Sequence, residues 1–532
     1  MKKSILNLSI GLCLSCLITN GQSLYGQQAA QGTKDTNVFS MQTGNPVIPA
    51  YLADASIMYD QKTGMFYAYG TNDGAGGGNV YPTQMWYSKD CKNWINRPLH
   101  LPQSWTDYAG TTALWAPSMI YNPSTQKYYL MYGIDCKTFV AMSNSPLGPW
   151  EDANAIAPGK MFYRGYDGQF FLDDDQTMYI VTDNGFFKIM KLTFDTQGKI
   201  SIDNTDSHFT DTESNEFIGK YFYKNVEGIR NMFEASFIYK RNGLYYLMWS
   251  FEGSENYNVR YAVSEKIIGP YRELNGSMTN PILVRDDQNQ ILGPGHHSMF
   301  DYKGRTFIAY HRQHFPFVDS KRQTCIDEVF FAPDGSILPI TPTHKGVEVV
   351  AGAKRYKGEN LALGKPTKVS SVRHYDSSPF QPRYRTVGID FDFSGNYAVD
   401  ENYGTHWDPG VGAVQPWIII DLEKESQIKE IETIFEFTNR TYKYKIEYLP
   451  AAGAQGLDAA AGSNNWQLLA DRSVEGTPQS PVRDTPQKGS LIKARFIRLT
   501  ILDADVPPTA DGADLKNASN GWSIFEIRVF GK

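Results

Sequence analysis

Short apolar runs, polar turns and aromatic-rich runs succeed one another along this chain, and the cycle returns five times at intervals of about sixty residues. The opening runs read Asp54-Ala-Ser-Ile-Met-Tyr, Ala116-Pro-Ser-Met-Ile-Tyr, Asp167-Gly-Gln-Phe-Phe-Leu, Glu234-Ala-Ser-Phe-Ile-Tyr and His296-His-Ser-Met-Phe-Asp. Each passes through a turn such as Gln61-Lys-Thr-Gly or Lys240-Arg-Asn-Gly into a run such as Met65-Phe-Tyr-Ala-Tyr or Leu244-Tyr-Tyr-Leu-Met-Trp. Runs of that length punctuated by Gly and Asn predict β-hairpins. The period leaves room for four antiparallel strands, which is one propeller blade, so a five-bladed β-propeller is expected over residues 44–354. If the first residues of the five runs share one column around the axis, Asp54, Asp167, Glu234 and His296 converge on one pocket.

The repeat ends near Ile340-Thr-Pro-Thr-His. Alternating strands without a further copy follow, and 532 residues exceed what one core usually organises. A second domain is therefore expected over residues 359–532. With 14% aromatic residues, 28 Pro and 46 Gly, and no sustained heptad, the chain is expected to be all-β. A net charge of −6 without a basic stripe argues against nucleic acid and for a neutral or mildly polar ligand. A monomer is expected.

Lys2-Lys3, an apolar stretch from Ile5 to Ile18 and polar Thr19-Asn-Gly-Gln-Ser have the layout of a secretory signal peptide, taken as residues 1–26 with a linker over 27–43. That stretch is too short for a lasting transmembrane span, which implies a periplasmic or secreted protein. Cys13 and Cys16 lack the small-residue context of a lipoprotein signal, so lipid anchoring is the less favoured outcome. Cys91, Cys136 and Cys325 then remain, an odd number without metal-type spacing, and are expected to be buried free thiols.

Ala398-Val-Asp-Glu-Asn-Tyr-Gly-Thr-His-Trp407, Pro416-Trp-Ile-Ile-Ile-Asp-Leu422 and Trp522-Ser-Ile-Phe-Glu-Ile-Arg-Val-Phe-Gly531 together resemble a discoidin-like (factor V/VIII C-type) jelly-roll sandwich. The resemblance implies a carbohydrate-binding module, with Trp407, Trp417 and Trp522 as framework residues. It also places Asp400, Thr405 and Glu526 at positions that often hold a structural calcium, a hard cation suited to oxygen donors. The Ala/Gly-rich segment Pro450–Ser463, which replaces a short turn, is expected to be a mobile surface loop.

The propeller resembles the family 43 glycoside hydrolases through Tyr51-Leu-Ala-Asp54-Ala-Ser, Leu114-Trp115-Ala-Pro-Ser, Gly165-Tyr-Asp167-Gly-Gln, Phe233-Glu234-Ala-Ser and Gly293-Pro-Gly-His296-His-Ser, ending in Tyr310-His-Arg312. The resemblance implies that Asp54 is the general base, Glu234 the general acid, and Asp167 the residue that tunes and orients the acid. It further implies that His296 lies on the axis near a bound cation, often calcium, that Arg322 reaches the substrate from the last blade, and that no cofactor is required for the chemistry.

The residues themselves argue for the same chemistry. Hydrolysis of a glycosidic bond in one displacement needs an acid for the leaving oxygen and a base for water on the opposite face. A further carboxylate beside the acid raises its pKa and keeps it protonated. Trp115 could present its face to a sugar ring. Two function classes stay open. One is an inverting exo-glycosidase acting on terminal furanose or pentose residues of oligo- or polysaccharides, with α-L-arabinofuranosidase foremost and β-xylosidase or β-galactofuranosidase beside it. The other is a noncatalytic glycan-binding propeller, which would have no need to keep both an acid and a base.

Overall fold

Five antiparallel sheets follow one another from Leu52 to Val329, and each begins with one of the repeated runs. Blade 1 joins Leu52–Asp60, Met65–Asn72, Gln84–Ser88 and Trp94–Pro98 in sequence order. Blade 2 joins Leu114–Asn122, Lys127–Ile134, Lys137–Ser143 and Glu151–Asp152, with Tyr163–Arg164 added to its third strand. Blade 3 comprises Tyr166–Leu172, Met178–Asp183, Phe187–Phe194 and Ile200–Ile202. Among the described residues, blades 4 (Glu234–Arg241, Leu244–Phe251, Asn258–Ser264) and 5 (Gly295–Tyr302, Arg305–His314, Val318–Val329) have three strands rather than four. The computed structural model describes residues 38–73, 83–110, 114–183, 187–203, 205, 229, 234–315, 318–376, 390–477, 480–486, 492–506, 509–510, 518–519 and 521–532. The expected signal peptide and most of the expected linker lie outside these residues.

The opening strands are neighbours in a closed ring. A separate apolar layer fills each gap between blades, as where Leu52, Ile57 and Phe66 of blade 1 meet Phe300, Phe307 and Ile326 of blade 5. A belt of polar contacts ties the ring together near the axis. Met119 N–H donates to Ser56 Oγ, Phe170 N–H to Ser118 Oγ, Ile238 N–H to Gln169 Oε1 and Ile57 N–H to Ser298 Oγ. The fifth link would fall at Phe237, which has no acceptor in its side chain and packs at a tilt against His297 instead.

Every opening strand is bulged at the same place, with register breaks after Ala53, Trp115, Tyr166, Glu234 and Gly295. The residue that follows each break is left-handed: Asp54, Ala116, Asp167, Ala235 and His296 have φ of 52°, 39°, 54°, 66° and 43°. This corrects the shared column read from the sequence. Ala235, not Glu234, is the fourth member of the ring, and the belt agrees, since Ile238 sits three residues after Ala235 as Ile57 sits three after Asp54. A bulge aims a side chain out of the strand's ordinary alternation, and Glu234 enters the site one residue earlier than its counterparts.

Beyond the propeller a sandwich is built on Trp417–Phe435, a long strand with a register break between Asp421 and Ser426. Its first half pairs with Thr367–Val369 and Ile492–Ala504, and its second half with Val482–Asp484 and Ile524–Gly531. Trp407 is fully buried and paired with Ile524, and Trp417 and Trp522 pack at core edges, as framework residues would. The expectation for the Ala/Gly segment is not met. Ala451–Gly453 forms a 3₁₀ turn and Leu457–Ala461 a helical turn, and Ala454 and Ala460 are buried against Ile419, Leu449 and Phe496. Small side chains let this segment pack flush on the sheet as a lid over its core.

Residues Thr36–Lys532 form one compact unit, with a polar and buried seam between propeller and sandwich. Glu436 of the sandwich accepts from Tyr51 Oη at 2.6 Å and pairs with Lys321 Nζ at 3.1 Å. His314 Nε2 lies 2.9 Å from His406 Nδ1, Gln323 donates to Tyr403 O, and Gln84 and Asn96 bond Thr438. The described end of the linker is wedged into this seam, for Asn402 donates to the carbonyls of Val38 and Ser40. Cys91 and Cys325 are buried free thiols as expected, whereas Cys136 is half-buried.

Candidate active site

His296 is the hub of the site. Its Nδ1 lies 3.3 Å from Asp54 Oδ1, 3.5 Å from Glu234 Oε1 and 3.9 Å from Asp167 Oδ2, and it makes no well-formed hydrogen bond with any of them. The three carboxylates come from blades 1, 4 and 3, so the ring brings together what the sequence scatters. Their pKa shifts follow from burial and neighbours. Burial works to raise Asp54, but Arg322, His296 and His311 outweigh it and hold the carboxyl well below the usual range. Burial, helped by the charges of Glu234 and Asp54, pushes Asp167 up to about 7 against the pull of His296. The three carboxylates in turn overcome burial at His296 and raise it to about 10.

Glu234 departs from expectation. Burial favours its protonated form, yet the neighbouring His296 imidazolium and the phenol of Tyr257, which donates to Oε1, hold it below the ordinary glutamate value. Of the two carboxyls it is Asp167, not Glu234, whose hold on a proton is strengthened in this arrangement. Asp167 and Glu234 each place an oxygen within 4.8 Å of the other, close enough for one to influence where the other's proton sits.

Arg322 is committed to carboxylates rather than standing open to a substrate. Its Nη1 donates to Asp54 Oδ1 at 3.1 Å, while Nε, Nη2 and the backbone N–H all donate to Asp73. His311 Nδ1 is 2.8 Å from the same Asp54 oxygen. Burial and then Arg322 push His311 down to about 4, so it is neutral near pH 7. Asp73, His311 and Tyr257 were not nominated from the sequence. His311 lies within the quoted Tyr310-His-Arg312 motif, whereas Asp73 and Tyr257 lie just outside the second and third strands of their blades, away from the repeated opening runs. Trp115 is half-buried and takes in blade 2 the place that Glu234 takes in blade 4, immediately before the left-handed residue.

Two residue sets suit a cation. Asp167, Glu234 and His296 bring three donor atoms within 4.8 Å of one another, although His296 would ligate only as the neutral imidazole, and Asp167 and His296 also line an axial cavity of about 30 Å³ with Ser56, Ser118, Gln169 and Ser298. In the sandwich, Asp400 accepts from the Thr405 hydroxyl at 2.8 Å, and Glu526 accepts from Glu401 N–H with one oxygen while the other, buried, has no hydrogen-bond partner. Burial raises both Asp400 and Glu526, and the charge of Glu401 adds to it. A hard cation or a proton would relieve that cost.

Residues 43–337, more than half of the chain, match glycosyl hydrolases family 43. The chain belongs to that family. Residues 377–522 match the F5/8 type C domain. Among characterised relatives of this family 43 glycoside hydrolase, a β-D-galactofuranosidase (xynD) of Aspergillus niger is 25% identical over 340 residues, spanning 59% of this chain and 89% of its own length. A xylosidase/arabinosidase 43B of Humicola insolens is 26% identical over 326 residues, 55% of this chain and 54% of the relative. A solved structure described as a glycoside hydrolase superposes with a TM-score of 0.71 at 23% identity, covering 93% of this chain and all of that one, so propeller and sandwich recur together as a fold. Among the described residues no helix is long and apolar enough to cross a membrane.

Proposed function

We propose that this family 43 enzyme is an inverting exo-glycosidase that removes terminal furanose or pentose residues from oligo- or polysaccharides, with α-L-arabinofuranosides as first substrates. The observation that carries the reading is the convergence of an ionised Asp54 with Glu234 and Asp167 around His296. Asp54, held as carboxylate by Arg322, takes a proton from water as the water oxygen attacks the anomeric carbon. Glu234 delivers a proton to the departing oxygen as the glycosidic bond breaks. A sugar oxygen that parts Glu234 from His296 removes the larger of the two influences that hold its pKa down, the other being Tyr257, and burial then shifts it toward the protonated state.

β-D-Galactofuranosides are the second reading, favoured by the relative that aligns along 89% of its length. Calcium held in the axial channel near His296, and in the sandwich by Asp400, Thr405 and Glu526, belongs to the same proposal as a structural ion that supplies positive charge. So do export by the N-terminal segment and glycan binding by the sandwich. The test is a panel of aryl α-L-arabinofuranosides, β-D-xylosides and β-D-galactofuranosides, with released monosaccharides identified. Turnover of the arabinofuranoside at least tenfold above the others supports the first reading; failure on all three removes it.

A further inference from the structure

Tyr51 immediately precedes the strand Leu52–Asp60 that carries Asp54, and Lys321 and Arg322 are consecutive on Val318–Val329, so each segment has one foot in the catalytic site and one in the seam with the sandwich. Successive side chains on a strand point to opposite faces. Arg322 turns toward Asp54 and Asp73, while Lys321 turns the other way and is buried against Glu436, which Tyr51 also contacts. A buried, charge-assisted contact permits few alternative geometries.

We propose that Glu436, a residue of the sandwich, is a positioning residue for catalysis. Through Lys321 and Tyr51 it fixes the two strands whose next residues are Arg322 and, three places on, Asp54. The sandwich is then part of the catalytic unit and not only an attachment to polymer. This rests on the reading of Asp54 and Arg322 given above.

The test uses the full chain and purified, folded enzyme on one aryl glycoside that the enzyme cleaves. Lys321→Met with Glu436→Gln removes both buried charges together and leaves neither unpaired, a replacement that is often neutral for stability. A merely structural role predicts unchanged kcat per folded molecule. Positioning predicts a fall in kcat of about tenfold or more with KM within about threefold, because aim and not binding is lost. Lys321→Arg, which keeps the charge, should stay near wild type. Combining the pair with Arg322→Lys should cost little beyond the worse parent, since both act on the same contact; effects that multiply would mean independence and would overturn the proposal. Should the double replacement not fold, Tyr51→Phe is judged by the same criteria. Ile419→Val, in a sandwich layer that contains no propeller residue, is the control for general loosening, and an equal kcat loss there also overturns the proposal. If Arg322→Lys alone leaves kcat unchanged, it is the site reading that fails, a result distinct from an intact Arg322 effect with a silent Lys321–Glu436 pair.

Discussion

At the scale of single residues the site turns on where two protons sit. Glu234→Gln keeps shape and the contact with Tyr257 but has no proton to give, so hydrolysis of substrates with poor leaving groups should fall by about 10²–10⁴-fold. Activated phenol leaving groups should suffer far less, and equal losses on both would remove Glu234 from the acid's role. His296 makes a separate, thermodynamic prediction. Its pKa is raised from 6.5 to about 10 in the fold, so its contribution to stability is fully present below 6.5 and is lost as pH rises through about 10. Melting temperature measured across that window should decline more steeply in the wild type than in His296→Gln; parallel curves would mean that the imidazolium is not held by the three carboxylates.

Bulged opening strands explain at the level of elements both what the sequence disclosed and what it hid. Asp54, Asp167 and His296 were legible because each follows the same register break in its blade. Glu234 was found for a reason only half right, since a chemically similar Glu-Ala-Ser string sits one place out of the structural column. Asp73 stayed hidden because its partner Arg322 comes from another blade, and Tyr257 because nothing in the turn before the third strand of blade 4 marks a tyrosine that will meet Glu234. Gly295 shows how closely these elements meet. It occupies in blade 5 the place of Glu234 in blade 4, and a Cβ there would fall 2.8 Å from Tyr257 Cβ and Cδ1. Gly295→Ala should therefore drive Tyr257 off Glu234 and lower kcat by about 10- to 100-fold, the scale of a misplacement near one ångström. Wild-type kcat in a correctly folded Gly295→Ala enzyme would show that the Tyr257 contact is dispensable.

The two-domain division was legible across the whole molecule from the change in texture near residue 350, but the seam between the domains was not, because its polar partners are separated by hundreds of residues and belong to no motif. A detachable module would leave a propeller that stands alone. Here, removing residues 359–532 would expose Tyr51, which packs into the sandwich's apolar cluster, together with the rest of the buried seam, and a domain's net stability of about 5–15 kcal/mol leaves little margin for such a loss of burial. A chain ending at Lys354 should accordingly be insoluble or unfolded by circular dichroism, whereas a soluble, active propeller would show that the seam is not needed. The whole arrangement of base, acid and intervening space is tested most directly by proton NMR of the first turnovers on a cleaved aryl glycoside, before mutarotation mixes the anomers. Asp54 as general base predicts that the sugar is released with inverted configuration, and release with retained configuration would contradict the account.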